Sequence, residues 1–376
     1  MADKRAARIA DFIAPLRVAP GSTVDLARDF DPRYKAHLDR AQGEDLLRRG
    51  VEMLAEYQPR LAAQDTYGVL VCLQALDAGG KDGTIRHVMS GMNPQGVRVS
   101  SFKVPSAEEL DHDFLWRYAR RLPARGDIAV FNRSHYEEVL VVRVHQEVLD
   151  RQRLPPPALR PGIWKRRYRE INDWERHLTD NGFQVVKIFL NLSREEQRQR
   201  FLSRIDLPEK NWKFSAADVR ERRYWDDYQR AFSEMLSATS TRWAPWYVVP
   251  ADRKWFARIC AAAVLVHTLT EIDPRYPTVS AEARGQLQSA RRELEREAPG
   301  ADPKAKDATH TKGTRSAKAA NTGKAGKAGK ATKAVKTAKE SKKSKAAGKT
   351  PGKDSPAARN AKTARNTTAA SRKGPR

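Results

Sequence analysis

The chain has 376 residues, a formal net charge of +25 and only two cysteines. Two thiols are too few for a disulfide framework or a cysteine-based zinc site, so we expect Cys72 and Cys260 to be buried apolar side chains in a reducing compartment. The N-terminal segment lacks the apolar core of a secretory signal, and no stretch approaches the roughly 20 apolar residues of a membrane span, so we expect a cytoplasmic protein with no membrane partner.

Most of the positive charge lies at one end of the chain. Residues 301–376 contain 17 Lys and 5 Arg against 3 Asp and 1 Glu, a net charge of +18, which leaves +7 for the first 300 residues. From about residue 298 onward, Lys, Ala, Thr, Gly and Ser dominate and aromatic residues are absent. Such a segment cannot bury enough apolar surface to offset the entropy of ordering. We therefore predict a disordered basic tail over residues 298–376.

The segments ahead of the tail divide by their patterning. Residues 1–40 are charged and interrupted by prolines, and we predict an irregular segment that wraps the surface of the core or of a partner subunit. Residues 41–64 have apolar side chains at helical spacing. This helix opens the predicted main domain, residues 41–275, which a helical extension over residues 276–297 follows.

A phosphate-binding loop is predicted between a strand and a helix near the start of the main domain. Residues 69–73 are a buried-strand pattern, and a helical pattern begins at Ile85. The turn between them contains Asp77, Lys81 and a set of small or polar residues that we expect to hold phosphate: Ala78, Gly79, Gly80, Asp82, Gly83 and Thr84. Glycines let backbone N–H groups point inward, the helix N-terminus adds partial positive charge, and the lysine adds a full one.

The loop departs from the usual G-x-x-x-x-G-K-[ST] pattern. Ala75 stands at the first glycine position and Asp82 replaces the hydroxyl residue. Asp77 places a carboxylate inside the loop, which suits a site where Mg²⁺ bridges the carboxylate and phosphates. The alternative is a glycine-rich strand–helix turn with no ligand.

Further strands and helices alternate along the chain. The patterns predict strands at residues 97–102, 128–131, 185–190 and 246–249, and helices from Ser106 to about Leu122, from Ser193 to Arg204, and over residues 219–236 and 254–269. Short apolar strands alternating with helices predict a parallel sheet covered on both faces. In such sheets ligands bind beyond the carboxyl ends of the strands.

Two more groups of residues fall at that edge. Asn132 and Arg133 follow the third strand, and the arginine offers a fork of donors suited to phosphate. Residues 204–218 carry Arg204, Lys210 and Lys213, which suit a lid that closes over a transferred phosphoryl group. The alternatives are a strand-end cap beside a surface ion pair, and a solvated basic loop pinned to the core by aromatic residues.

These motifs resemble the second family of polyphosphate kinases, over roughly residues 10–270. The resemblance rests on QALDAGGKDGTIRHV, GMNPQGVRVSSFKVPSAEELDHDFLWR, FNRSHYEEVLVVRV and RIDLPEKNWKFSAAD. It implies a P-loop kinase-like, three-layer α/β/α sandwich with a parallel sheet and a helical lid. It also implies reversible transfer of the terminal phosphoryl group of inorganic polyphosphate to ADP or AMP, with GDP and GMP as further acceptors, in the presence of Mg²⁺ or Mn²⁺.

The resemblance also implies roles for single residues. Asp77, Lys81 and Arg133 match the family's catalytic positions, and Asp77 and Asn132 match its metal positions. Many relatives have Asp where Asn132 stands, and the asparagine spelling is most similar to the branch that accepts AMP as well as ADP. Relatives form dimers or tetramers, so the resemblance implies a homo-oligomer.

Polyphosphate is a linear polyanion and should lie in a basic groove. The candidates for that groove are Lys103, Arg117 and Arg121, with Arg120 and Arg143 beside them. The basic tail is predicted to tether polyphosphate or nucleic acid. Two other functions stay open from the sequence: an ATP-dependent nucleotide kinase of the same fold, and a nucleic-acid-binding protein with an inactive kinase core.

Overall fold

Five parallel strands form the centre of the computed structural model, which describes residues 2–297. The strands are β1 (Gly68–Ala75), β2 (Val97–Ser101), β3 (Ile128–Asn132), β4 (Phe183–Asn191) and β5 (Trp246–Pro250). They lie side by side in the order β2-β3-β1-β4-β5, and every neighbouring pair is parallel. The predicted α/β fold with a parallel sheet is confirmed. The tail predicted over residues 298–376 lies outside the described residues.

Helices cover both faces of the sheet. They are α1 (Ala2–Ile13), α2 (Leu26–Asp29), α3 (Arg40–Gln64), α4 (Lys81–Val88), α5 (Ala107–Leu110), α6 (Trp116–Ala119), α7 (Val141–Val144), α8 (Gln146–Asp150), α9 (Ile163–Asp180), α10 (Arg194–Asp206), α11 (Ala216–Glu221), α12 (Trp225–Thr239), α13 (Lys254–Ile272) and α14 (Ala281–Arg296). Short 3₁₀ turns at His135–Val139 and Pro208–Lys213 connect some of them.

The sequence of β1 explains its central place in the sheet. Side chains alternate between the two faces of a strand, and in β1 both sets are apolar. Val69, Val71 and Leu73 pack into the cluster that contains α3 and α13, whereas Leu70 and Cys72 pack into a cluster on the other face. A strand apolar on both faces is stable only between two layers of helices.

The register of the sheet brings two predicted site segments together. Leu73 of β1 pairs with Asn132 of β3, and β1 continues two residues further to Ala75. Because neighbouring parallel strands end at the same edge, the loop after Ala75 and the turn after Asn132 emerge side by side. This edge carries the candidate site.

The N-terminal segment and the helix after Ser106 differ from their predictions. The expected irregular structure is wrong for Ala2–Ile13, which is helical, and the segment after it enters the core: the backbone N–H of Val18 donates to the carbonyl of Trp246 at 2.9 Å. The helix predicted from Ser106 to Leu122 is two single turns, α5 and α6. The Asp113 side chain accepts from the N–H of Leu115 at 2.9 Å, and such local bonds compete with a helix.

The most apolar helix, α13, is long enough and apolar enough to cross a membrane, by length and composition alone. The expectation that no stretch approaches the roughly 20 apolar residues of a membrane span was therefore wrong. Burial of α13 in the core explains its composition, since Cys260, Val264 and Leu269 are fully buried beside α3 and the sheet. Cys72 is also buried, as predicted for both thiols.

Candidate active site

The loop after β1 has a backbone shaped by its glycines. A Cβ on Gly79 would lie 2.5 Å from the Cβ of Ala75, so only glycine fits there. Gly80 has a φ of +100° and caps α4, whose first internal bond runs from the N–H of Thr84 to the carbonyl of Gly80 at 2.9 Å. The N–H groups of the first helical turn have no acceptor within the helix. They form a donor set at the mouth of the loop that suits an anion.

Lys81 lies across the base of this loop. Its Nζ atom donates to the carbonyl oxygen of Ala75 at 2.8 Å and contacts that of Leu76 at 3.4 Å. Burial, together with the nearby Arg133 guanidinium, lowers the pKa of Lys81 to about 8. The ammonium group therefore loses its proton within the range of pH where most enzymes work.

The turn after β3 faces the loop directly. Arg133 has a φ of +65°, and its Nη2 atom donates to Oδ1 of Asp77 at 2.7 Å while Nη1 donates to Oε2 of Glu137 at 3.1 Å. The carboxylate of Glu137 raises the pKa of Arg133 above its ordinary value. Asn132 donates through Nδ2 to Oδ1 of Asp82 at 2.8 Å. Two pairs of predicted site residues, Arg133 with Asp77 and Asn132 with Asp82, therefore join the turn after β3 to the loop after β1.

The predicted lid consists of the turn Pro208–Lys213 and helix α11. Arg204 Nη1 lies 3.3 Å from Oδ2 of Asp218, and burial, with the nearby Asp77 carboxylate, raises the pKa of Asp218. Lys210 donates to the hydroxyl of Ser203 at 3.2 Å, and Lys213 lies 4.8 Å from the ring centroid of Trp212. The Trp212 side chain is 77% exposed. All three predicted lid cations face the same cleft as the phosphate loop.

That cleft has a volume of about 1480 Å³ and runs from β2 past the loop to the start of α13. Lys103 lines it, as do five cations that the sequence analysis did not select: Arg86, Arg151, Arg200, Lys254 and Arg258. Burial and the neighbouring Arg86 lower the pKa of Arg258, so these cations lie close enough to repel one another. Such a concentration of like charge suits a polyanionic ligand.

The other groove candidates behave differently. Arg117 touches the cleft but is only 8% exposed, because it donates to the carbonyl of Lys103 at 2.9 Å and lies 3.3 Å from Glu109. Arg121 is exposed and does not line the cleft. Arg120 and Arg143 also lie outside the lining and pair with other carboxylates. The sequence shows that these side chains are positively charged, but it does not show which carboxylate or carbonyl each of them contacts.

A family model described as polyphosphate kinase 2 (PPK2) matches residues 37–277 of the chain. The chain belongs to the polyphosphate kinase 2 family. It is 50% identical over 282 residues to the ADP-polyphosphate phosphotransferase of Rhodopseudomonas palustris, covering 74% of this chain and 96% of that protein. It is 45% identical over 266 residues to the AMP/ADP-polyphosphate phosphotransferase of Meiothermus ruber, covering 69% and 94%.

Solved structures of the family have the same fold. The crystal structure of polyphosphate kinase 2 from Arthrobacter aurescens TC1 is 40% identical and has a TM-score of 0.67, covering 75% of this chain and 95% of that one. The matches of the PPK2 family thus extend over the sheet, the loop and the lid, while α14 lies beyond the range of the family model.

Members of the PPK2 family are phosphotransferases that generally need a divalent metal ion. In the cleft, the residues predicted to hold this ion are Asp77 and Asn132. Within residues 2–297 no three His, Cys, Asp or Glu side chains form a metal-binding cluster. Asp77 uses Oδ1 for Arg133, and Asn132 contributes no charge. Mg²⁺ takes many of its ligands from phosphates and water. One carboxylate beside a phosphate loop therefore fits a metal ion that arrives with a polyphosphate.

Three residues that hold the phosphate loop or Arg133 of this PPK2 site were also missed in the sequence analysis. Glu137 holds Arg133, and its position four residues after Arg133 in the same motif was the available signal. Gln197 and Arg200 of α10 donate to the carbonyl oxygens of Asp77 and Ala78, each at 3.0 Å. No local pattern reveals these contacts, because the partners are more than a hundred residues apart in the chain.

Proposed function

We propose that this protein transfers the terminal phosphoryl group of inorganic polyphosphate reversibly to ADP and AMP, with Mg²⁺ as the preferred cation and Mn²⁺ as a substitute. The observation that supports this most is the carboxylate of Asp77 inside the phosphate loop, opposite Arg133 in a cleft lined by cations. The relatives from R. palustris and M. ruber are named for the same transfer.

Each part of the site has a task in this reaction. The N–H groups at the start of α4 and the Lys81 ammonium hold the donor phosphates, and Arg133, which Asp77 and Glu137 hold in place, puts its positive charge beside the phosphoryl group in transfer. Asp77 would hold the metal ion, which would supply positive charge to the phosphates when bound. The lid cations Arg204, Lys210 and Lys213 close over the group and exclude water. A nucleotide phosphate attacks through an oxygen that is already ionised, so the site needs no general base.

The donor chain lies, in this proposal, over Arg86, Lys254 and Arg258. None of the three forms an ion pair within the residues that the structure describes, although all three line the cleft. Burial and the nearby Arg200 also lower the pKa of Lys254. Crowded cations without carboxylate partners are stabilised when a polyanion binds among them. Lys103, at the β2 end of the same cleft, is available to the nucleotide phosphates.

The acceptor range follows from Asn132. Its neutral amide donates to Asp82 at 2.8 Å. An aspartate at this position would bring a second negative charge, which would repel the phosphate of the acceptor. We propose that AMP and ADP are both accepted, with GDP and GMP as weaker acceptors.

The test is a matrix of polyphosphate and ATP as donors against AMP, ADP, GMP and GDP. Product with polyphosphate as donor supports the proposal, and product with ATP alone identifies an ATP-dependent kinase.

Alkaline pH is expected to weaken use of the donor. The pKa of Lys81 is about 8, below its ordinary value, so the ammonium is charged below that pH and neutral above it. We expect kcat/KM for polyphosphate to fall about tenfold per unit above about pH 8. Bound phosphate stabilises the ammonium, so the fall in kcat should lie at higher pH. Lys81→Arg should remove this fall in kcat/KM, the alkaline limb of the pH profile, whereas the control Lys210→Arg should keep it. An alkaline limb that is unchanged in Lys81→Arg would show that another group is responsible for it.

The basic tail is proposed to tether a polyanion, either polyphosphate itself or nucleic acid. Its net charge of +18 in residues 301–376 is the basis of this proposal. Because each phosphate contact releases counterions, retention should fall steeply with salt. The chain truncated after Ala298 is expected to elute from immobilised polyphosphate at lower salt than the full chain, and a parallel column of DNA separates the two ligands. Identical elution of both proteins from both columns would remove the proposal.

A further inference from the structure

Side chains of helix α10 donate hydrogen bonds to the backbone of the phosphate loop. Two of its buried side chains reach the loop: Gln197 Nε2 donates to the carbonyl oxygen of Asp77, and Arg200 Nη1 donates to that of Ala78, both at 3.0 Å. Neither side chain was selected from the sequence, and neither is among the groups that hold phosphate directly. Their contact is with the part of the loop that leads into the phosphate-binding N–H groups at the start of α4.

The two carbonyls flank the residue with the least favourable backbone. Ala78 has a φ of +61°, a left-handed conformation that residues with a Cβ seldom adopt. The peptide before Ala78 contains the Asp77 carbonyl, and the peptide after it contains the Ala78 carbonyl. Each peptide is planar, so fixing its carbonyl also fixes the direction of its N–H. Gln197 and Arg200 therefore hold both peptide planes on either side of Ala78, and the N–H of Gly79 also donates to the carbonyl of Leu76 at 3.0 Å.

Both side chains are themselves anchored. Gln197 Oε1 accepts from Arg222 at 2.6 Å, and Arg200 Nε donates to Glu196 at 2.8 Å. Arg200 also donates to the carbonyl of Ala251, just after β5. These contacts hold the two side chains in single positions, so they act on the loop as rigid supports.

The same helix leads into the lid. Arg204 lies one turn beyond Arg200, and the lid turn Pro208–Lys213 follows the end of α10. We propose that Gln197 and Arg200 are positioning residues that make the phosphate loop and the base of the lid one unit, so that the loop keeps its phosphate-binding shape only while α10 holds it. This inference rests on the proposed phosphoryl transfer.

The test replaces each support and a neighbour on the same helix. Gln197→Met removes the bond to the loop, and Arg200→Lys replaces the guanidinium that reaches Ala78, Glu196 and Ala251 together by a single ammonium group, both at similar side-chain size. Gln199→Met and Arg198→Lys are the matched controls, because the side-chain hydrogen bonds of those exposed residues, within residues 2–297, go to Glu195 on the helix surface and not to the loop. Thermal unfolding, kcat, KM for polyphosphate and ADP, and the pH profile of kcat/KM are measured for all four and for the wild type.

Small displacements of a reacting group lower rates strongly, so we expect kcat to fall about ten- to a hundredfold in each support variant and to stay within about twofold in the controls. Lys81 rests on the carbonyls of Ala75 and Leu76 in the same loop, facing Arg133, Asp77, Glu137 and Asp82. A released loop gives Lys81 more water, so the alkaline limb should move to higher pH. A support that is merely structural would lower the unfolding temperature and leave that limb unchanged.

The outcomes separate the two proposals. A wild type without polyphosphate-dependent transfer contradicts the proposed function, whatever the variants do. An active wild type whose support variants keep kcat and the alkaline limb overturns the positioning role. Should Arg200→Lys fail to fold, Gln197→Met alone decides, because it removes only the two hydrogen bonds of a neutral side chain, to Asp77 and from Arg222, and retains the ion pair of Arg200 with Glu196.

Discussion

Asp77→Asn is expected to lower kcat for polyphosphate-dependent ATP synthesis about a thousandfold while the protein stays folded. The amide keeps the shape of the side chain but removes the negative charge that is proposed to hold the metal ion among the phosphates. Loss of one preorganised electrostatic group at a reacting centre reduces rates by this order. Initial rates with ADP, Mg²⁺ and polyphosphate measure the effect.

Thermal unfolding provides the control for this variant. Asp77 and Arg133 are both partly exposed, and such ion pairs contribute less than about 1 kcal/mol. The unfolding temperature should therefore change by a few degrees at most. Asp180→Asn, at the exposed end of α9, is a matched loss of one carboxylate far in sequence from the loop. Near-normal activity of Asp77→Asn would show that the metal role is assigned to the wrong residue.

Arg133→Lys is expected to lower kcat about a hundredfold although it conserves the charge. The guanidinium contacts Asp77 and Glu137 through different nitrogens, and a lysine ammonium cannot reproduce that fork. Lysine also carries a Cβ, so the cost of the φ of +65° is similar in both proteins. The loss therefore reports on the geometry of the donors, since transition-state stabilisation by one such group is of this size.

A change in KM without a change in kcat would give Arg133 a different role. It would mean that the arginine binds substrate and transition state equally well. Arg121→Lys is the matched control, because this exposed arginine lies outside the cleft and should keep wild-type kinetics. If the control loses as much activity as Arg133→Lys, the effect does not arise at the cleft.

The strands and the phosphate loop were predictable because their signals are local. A strand buried on both faces needs an unbroken apolar run, and the loop needs glycines and a lysine at set distances, so β1 and the loop follow from residues 68–84 alone. Asn132 and Arg133 were expected at the same edge because they follow a predicted strand of a parallel sheet. The lid cations were recognisable from their motif and do line the cleft.

Partners distant in the chain were not predictable. Arg117 has the same charge as the other groove candidates, but its guanidinium is buried against Glu109 and the Lys103 carbonyl. Gln197 and Arg200 look like ordinary residues of a polar helix until the fold brings them under the loop. The break between α5 and α6 depends on a side chain of Asp113 competing for a backbone N–H, which helix periodicity does not show.

Crystals soaked with Mn²⁺ and tripolyphosphate test most directly whether the loop grips a metal-neutralised chain of phosphates. We expect phosphate density against the N–H groups at the start of α4 and the Lys81 ammonium, with the anomalous peak of Mn²⁺ beside the Asp77 carboxylate. An empty loop, with Asp77 still bound to Arg133 and the phosphates elsewhere on the surface, would contradict the proposed site.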